Sequence, residues 1–141
     1  MELYSLKEGA IAAVTARDPR RDGQWEADVF PSPVALRAKA GVCFPPLVLI
    51  VETGSGFVFC AKVLEPGADE ARILGDALIE AMREHRQIPS VVAVRPGFDA
   101  ALSPLSAILA TRIEVRNNMG TLAAAWRSLL AAMKKGLPGG A

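Results

Sequence analysis

The residues best placed to do chemistry in this chain are Arg95, Asn117 and Asn118, together with Glu52, Thr53 and the main chain of Gly97. Each follows a strand-like run: Glu52 and Thr53 close Leu47 to Val51, Arg95 closes Val91 to Val94 with Gly97 soon after, and the two asparagines follow Arg112 to Arg116. In an open α/β sheet, the carboxyl ends of parallel strands and the N-termini of the following helices converge, so these residues are expected along one polar edge. A guanidinium beside helix N-termini suits a phosphate or a carboxylate, which makes a small-anion or nucleotide site at Arg95, Asn117 and Asn118 one expectation. The structural alternative is that Arg95 pairs with Glu52 and that Asn118 caps the last helix, asparagine being a preferred cap residue.

The other reactive residue types carry less. His85, the sole histidine, sits at the end of a helical run among Arg83, Glu84 and Arg86, where it complements the helix dipole. No serine or cysteine accompanies it at a nucleophile's spacing, and it is assigned no role. Cys43 and Cys60 lack metal-ligand spacing and read as buried, reduced thiols. Gly54-Ser55-Gly56 lacks the lysine and helix of a phosphate loop and reads as a hairpin turn. Arg17, Arg20 and Arg21 near Trp25 would make a basic patch, but Asp18 and Asp22 largely cancel it.

Composition narrows the classes. With 51% hydrophobic residues, 22% charged and a formal charge of +1, a disordered chain and a bulk polyanion binder are both excluded, so nucleic acid is not an expected partner. The 141 residues suit one domain with one core. Glu2, Lys7 and Glu8 interrupt any leader-like apolar stretch, and no run approaches the ~20 residues of a membrane span. A soluble, cytoplasmic protein with no membrane partner is expected.

These residues need elements to hold them. Ser5-Leu6-Lys7-Glu8 has the form of a capping box and predicts a helix from Leu6 to about Arg17. Trp25 to Phe30 alternates Trp25, Ala27 and Val29 with Glu26 and Asp28, which predicts a half-buried strand whose carboxylates face water, placed so as to extend a sheet edge. Ser32-Pro33 and Gly41 bracket an expected short helix over Val34 to Ala40. Residues 1–45 thus form an N-terminal helix and strand extension, 46–136 the core sandwich, and 137–141 a frayed tail.

Within the core, Leu47 to Val51 is uniformly aliphatic, as in a strand covered on both faces, and Phe57 to Leu64 is its hairpin partner. A helix opening at Ala68 or Asp69 buries Ile73, Leu74, Ala77, Leu78, Ala81 and Met82 and ends before Pro89. Val91 to Val94 is an interior strand, and a helix broken near Leu102 follows. Arg112 to Arg116, alternating charged and aliphatic residues, is an edge strand. The last helix runs from the Asn118 cap to Gly136. Right-handed crossovers predict that the strands at Val91 and Arg112 run parallel to that at Leu47.

This order, a single-domain α/β mixed sheet with a β-hairpin followed by αβαβα and helices packed on the sheet, resembles the ribonuclease-H-like superfamily over about Leu47 to Lys135. The resemblance implies two divalent metals, Mg or Mn, held by carboxylates from the first strand, the first helix and the end of the next strand. Glu52 takes the first place, Asp76 or Glu80 the second, and Asp99 stands nearest the third. The pattern is broken there: Arg95 occupies the strand end, Asn117 and Asn118 replace a late acid, and Glu65 to Ala68 is too short for a third hairpin strand. Trp25-Glu26-Ala27-Asp28, followed by a Pro-led aliphatic strand and a glycine turn, is also similar to small bacterial domains without an assigned activity. The resulting expectation is a non-enzymatic binding or assembly module without a cofactor. It would assemble as a homo-oligomer, such as a homodimer through the edge strand or an apolar helix face, or bind a further protein partner. The alternative is a divergent metal-dependent nuclease using Glu52, Asp76 or Glu80, and Asp99.

Overall fold

A computed structural model describes residues 2–38 and 41–136. The chain runs through α1 (Glu8–Thr15), β1 (Gln24–Pro31), β2 (Leu36–Ala38), β3 (Gly41–Cys43), β4 (Pro46–Glu52), β5 (Val58–Val63), α2 (Glu70–His85), β6 (Val91–Val94), α3 (Phe98–Ala101), α4 (Ser103–Leu109), β7 (Arg112–Val115) and α5 (Gly120–Gly136). Five strands form one mixed sheet in the order β5-β4-β1-β6-β7, and β2 pairs with β3 in a separate hairpin.

The middle of the sheet differs from the sequence expectation. The strand containing Trp25 to Phe30 is not an edge extension: β1 is central, antiparallel to β4 and parallel to β6. Consequently β6 and β7 run antiparallel to β4, not parallel to it. The third strand that the hairpin lacked is supplied from the N-terminal side, so β1, β4 and β5 make a three-stranded antiparallel meander ahead of α2. Neighbouring strands in sequence usually pair, and the β2–β3 hairpin merely interrupts that adjacency.

Both faces of β4 are covered, which explains its unbroken aliphatic run. On one face Trp25, Ala27, Val29, Val48 and Ile50 pack against α2. On the other, Leu47, Leu49 and Val51 meet α5 through Leu122 and Trp126, and Trp126 stacks on Phe30 with ring centroids 4.3 Å apart. Asp69 caps α2 by accepting from the Arg72 N–H at 3.0 Å. Arg86, in the left-handed conformation, ends that helix before Pro89. The break near Leu102 separates α3 from α4, and β7 lies at a sheet edge, both as the sequence predicts.

Three local expectations shift. The Ser5 capping box does not form: α1 begins at Glu8, because Tyr4 is tied to the core by its N–H to the Ala101 carbonyl at 2.7 Å. The Tyr4 ring lies where a Cβ on Gly75 would meet it at 2.4 Å, so that helix position must remain glycine for the ring to stay. In place of the expected helix over Val34 to Ala40 there is β2, consistent with the two-residue alternation of Val34, Leu36 and Ala38; residues 39 and 40 lie outside the described residues, as does the expected frayed tail at 137–141. Finally, α5 starts at Gly120, two residues beyond Asn118.

Candidate functional site

The parallel register of β1 and β6 pairs Glu26 with Ala93, and two residues further it sets Asp28 beside Arg95 at the sheet's carboxyl edge. Arg95 Nε donates to Asp28 Oδ1 at 2.8 Å, and its Nη2 donates to Glu70 Oε2, also at 2.8 Å. Asp28 Oδ1 accepts in addition from the Val29 N–H at 2.8 Å. The guanidinium carbon lies 4.9 Å from the centre of the Phe98 ring, a cation–π contact. Glu70 comes from the first turn of α2, where a carboxylate also suits the helix dipole. One cation thus joins the first strand of the meander, the following helix and the end of β6.

The carboxylates of β1 do not face water. Asp28 is 7% exposed and Glu26 only 2%. Glu26 Oε1 accepts from the Leu122 N–H at 3.1 Å, so a strand carboxylate caps α5 from outside the helix. Burial alone opposes the Arg95 charge, but the Asp28 hydrogen bond and charge, followed by those of Glu70, outweigh it and hold the guanidinium pKa above its ordinary value.

The sequence-derived acids are elsewhere and already occupied. Glu52 pairs in register with Trp25, three residues from Asp28 along β1, or roughly 10 Å at the rise of a strand. It braces the hairpin turn by accepting from Ser55 Oγ at 2.6 Å, so the expected Arg95–Glu52 pair does not form. Asp76 accepts the Tyr4 hydroxyl at 2.5 Å. Glu80 pairs with Arg83 at 3.3 Å. Asp99 accepts from the Gly97 N–H at 3.2 Å. Asn117 and Asn118 are exposed beyond β7 on the same edge as Arg95, and α5 begins only at Gly120. Among the described residues no three His, Cys, Asp or Glu side chains gather as a metal set. Asp28 and Glu70, the acids that do share a point, are bridged by the Arg95 guanidinium. These residues therefore do not fit the pair of divalent metals that the resemblance implies.

Asp28, Glu70 and Glu26 were not singled out by sequence. Once β1 is known to be central, the available signal is the Trp25-Glu26-Ala27-Asp28 segment, with acids on the face that α5 and Arg95 cover. His85 meets Phe59 edge-on, with centroids 5.0 Å apart, rather than any nucleophile. Both cysteines are free and half-buried, more open than expected.

Strand order and helix placement define a ribonuclease-H-like fold. A structural comparison agrees: the crystal structure of the catalytic core domain of BIV integrase superposes with a TM-score of 0.59, at 18% identity, over 84% of this chain and 75% of that one. Residues 12–130 match a family described as a domain of unknown function, DUF6930, and the chain belongs to that family. No curated protein matches it in sequence.

Proposed function

We propose that this chain is a non-enzymatic binding or assembly module on a ribonuclease-H-like scaffold. The observation that carries this reading is the Asp28–Arg95–Glu70 cluster. Where the ribonuclease-H-like resemblance implies carboxylates converging on two divalent metals, this chain places a guanidinium between two carboxylates. An internal cation of this kind neutralises the acids without offering open coordination positions, so it serves structure rather than catalysis.

Self-association is part of the proposal. The β7 edge exposes Val115, α4 next to it exposes Ile108, and an open strand edge beside apolar side chains favours a second copy. Half-buried free thiols suit the reducing cytoplasm, where we place the protein. Among the described residues no helix is long and apolar enough to cross a membrane. A small anion at Arg95, Asn117 and Asn118 is a second reading, supported by the 44% exposure of the Arg95 side chain.

The deciding experiment incubates the protein with labelled single- and double-stranded DNA and RNA in Mg and in Mn, alongside light scattering and phosphate or nucleotide titration. The expected result is no cleavage and a concentration-dependent oligomer. Metal-dependent cleavage abolished by Asp28→Asn would overturn the reading. Phosphate binding lost in Arg95→Ala would establish the anion site instead.

A further inference from the structure

We propose that the groove between α2 and the free edge of β5 takes an extended, basic and apolar peptide segment of a partner protein, added to the sheet as a sixth strand beside β5. This rests on the reading of the chain as a binding module and names the partner's chemistry.

Three observations converge on the groove. First, among the described residues β5 ends the sheet on the side away from β7, so half of its backbone N–H and C=O groups point outward as a template for another strand. Second, a groove of about 550 Å³ lies between β5 and α2, floored by Val48, Phe59, Cys60, Ile73 and Ala77. Its size is that of a recognition pocket. Third, Val58 and Val63 of that strand and Phe57 just before it, at 45%, 45% and 54% exposure, leave apolar surface beside the edge.

The two faces of β5 suit a strand partner's alternating side chains. Cys60 and Lys62 lie opposite Ile50 and Val48 and face the groove, whereas Val58, Ala61 and Val63 lie opposite the β4 residues that meet α5. One set of a peptide's side chains enters the groove, and the other covers the exposed valines.

Charge selects the occupant. Glu65, Asp76, Glu80 and Glu84 line the groove with Lys62 and Arg72; Asp76 is held by the Tyr4 hydroxyl and Glu80 by Arg83, so the acidic surplus rests on Glu65 and Glu84. Among the described residues no ion pair engages Glu65 or Glu84. Burial, and then the Glu84 and Glu80 charges working against Lys62, raise the Cys60 thiol above its ordinary pKa. A second copy would bring two acidic grooves together across an edge interrupted by Lys62, which disfavours it here.

The test uses the full chain with Cys43→Ser, which leaves Cys60 as its single thiol. The probe is a capped fluorescent octapeptide alternating valine and lysine. Controls are a valine–glutamate peptide and a valine–lysine peptide N-methylated at alternate residues, which removes the ladder donors. Binding is expected for the first peptide, with slowed alkylation of Cys60. It should weaken about tenfold or more for both controls and for Glu80→Lys with Glu84→Lys, since the glutamate peptide and the double variant set like charges against each other and the methylated peptide lacks the ladder donors. Circular dichroism establishes that this double variant remains folded. Absence of binding to the folded protein, or binding indifferent to methylation and charge reversal, overturns the proposal. So does a dimer that shields Cys60 without peptide, and that outcome leaves the binding-module reading intact. Metal-dependent nuclease activity would remove that broader reading whatever the peptide does.

Discussion

Replacing Arg95 with methionine removes the guanidinium but keeps most of the stem over Phe98. Asp28 then retains only the Val29 N–H, within a setting that leaves it 7% exposed. Losing one partner of a hydrogen-bonded charge while the other stays buried costs about 1–3 kcal/mol. The ~3–5 kcal/mol seen for fully buried pairs is a ceiling that this site does not reach, because the Arg95 side chain is 44% exposed. The Glu70 arm, with its carboxylate 49% exposed, adds less than about 1 kcal/mol. The expected loss is therefore about 2 kcal/mol, or a fall in Tm of roughly 6 °C for a chain of this length. Urea unfolding followed through the fluorescence of Trp25 and Trp126 measures it, and a cycle with Asp28→Asn isolates the pair at about 1–2 kcal/mol of coupling. A variant within about 0.5 kcal/mol of wild type, or additive single changes, would refute the assignment of Arg95 as the cation that neutralises Asp28.

Two further outcomes follow from the same physics. Glu26→Gln keeps an acceptor for the Leu122 N–H but loses the charge at the α5 N-terminus, so stability should fall by about 1 kcal/mol; Glu26→Ala should cost more, with loss of the near-ultraviolet signal from the Trp126–Phe30 stack. Tyr4, the sole tyrosine, has its hydroxyl pKa pushed well above the ordinary value by burial, and then by the Asp76 hydrogen bond and charge. The folded state holds this proton more tightly, so the contribution to stability is intact below pH ~10 and is lost progressively as pH rises beyond it. Tyr4→Phe should flatten that alkaline slope, and a native tyrosinate absorbance midpoint near pH ~10 would contradict the contact.

Much of the fold was legible because periodicity and punctuation are local. Leu47 to Val51, the Gly54-Ser55-Gly56 turn, the Asp69 cap and the break at Leu102 all announce themselves within a few residues. The role of β1 is not local. Its alternation shows that one face is buried, but only the arrival of α5 and Arg95, roughly seventy to a hundred residues later in the chain, buries Glu26 and Asp28 on the other. Taking Leu47 as the start of the sheet misplaced β1 and reversed the sense of β6 and β7. Glu52, at the end of that run, sits at the opposite end of the strands from Arg95. The departure at Arg95 was visible as a residue type, whereas its partners required the register.

The central position of β1 also constrains how the molecule comes together during synthesis. The meander β1, β4 and β5 can assemble as soon as those residues leave the ribosome, but its inner edge stays open until β6 is made and docks in parallel. A fragment beginning at Pro46 retains two strand pairs, β4 with β5 and β6 with β7, and no strand to join them. The N-terminal segment is therefore the seam of the domain, and a truncation there should yield two unstable halves rather than a smaller version of the same protein.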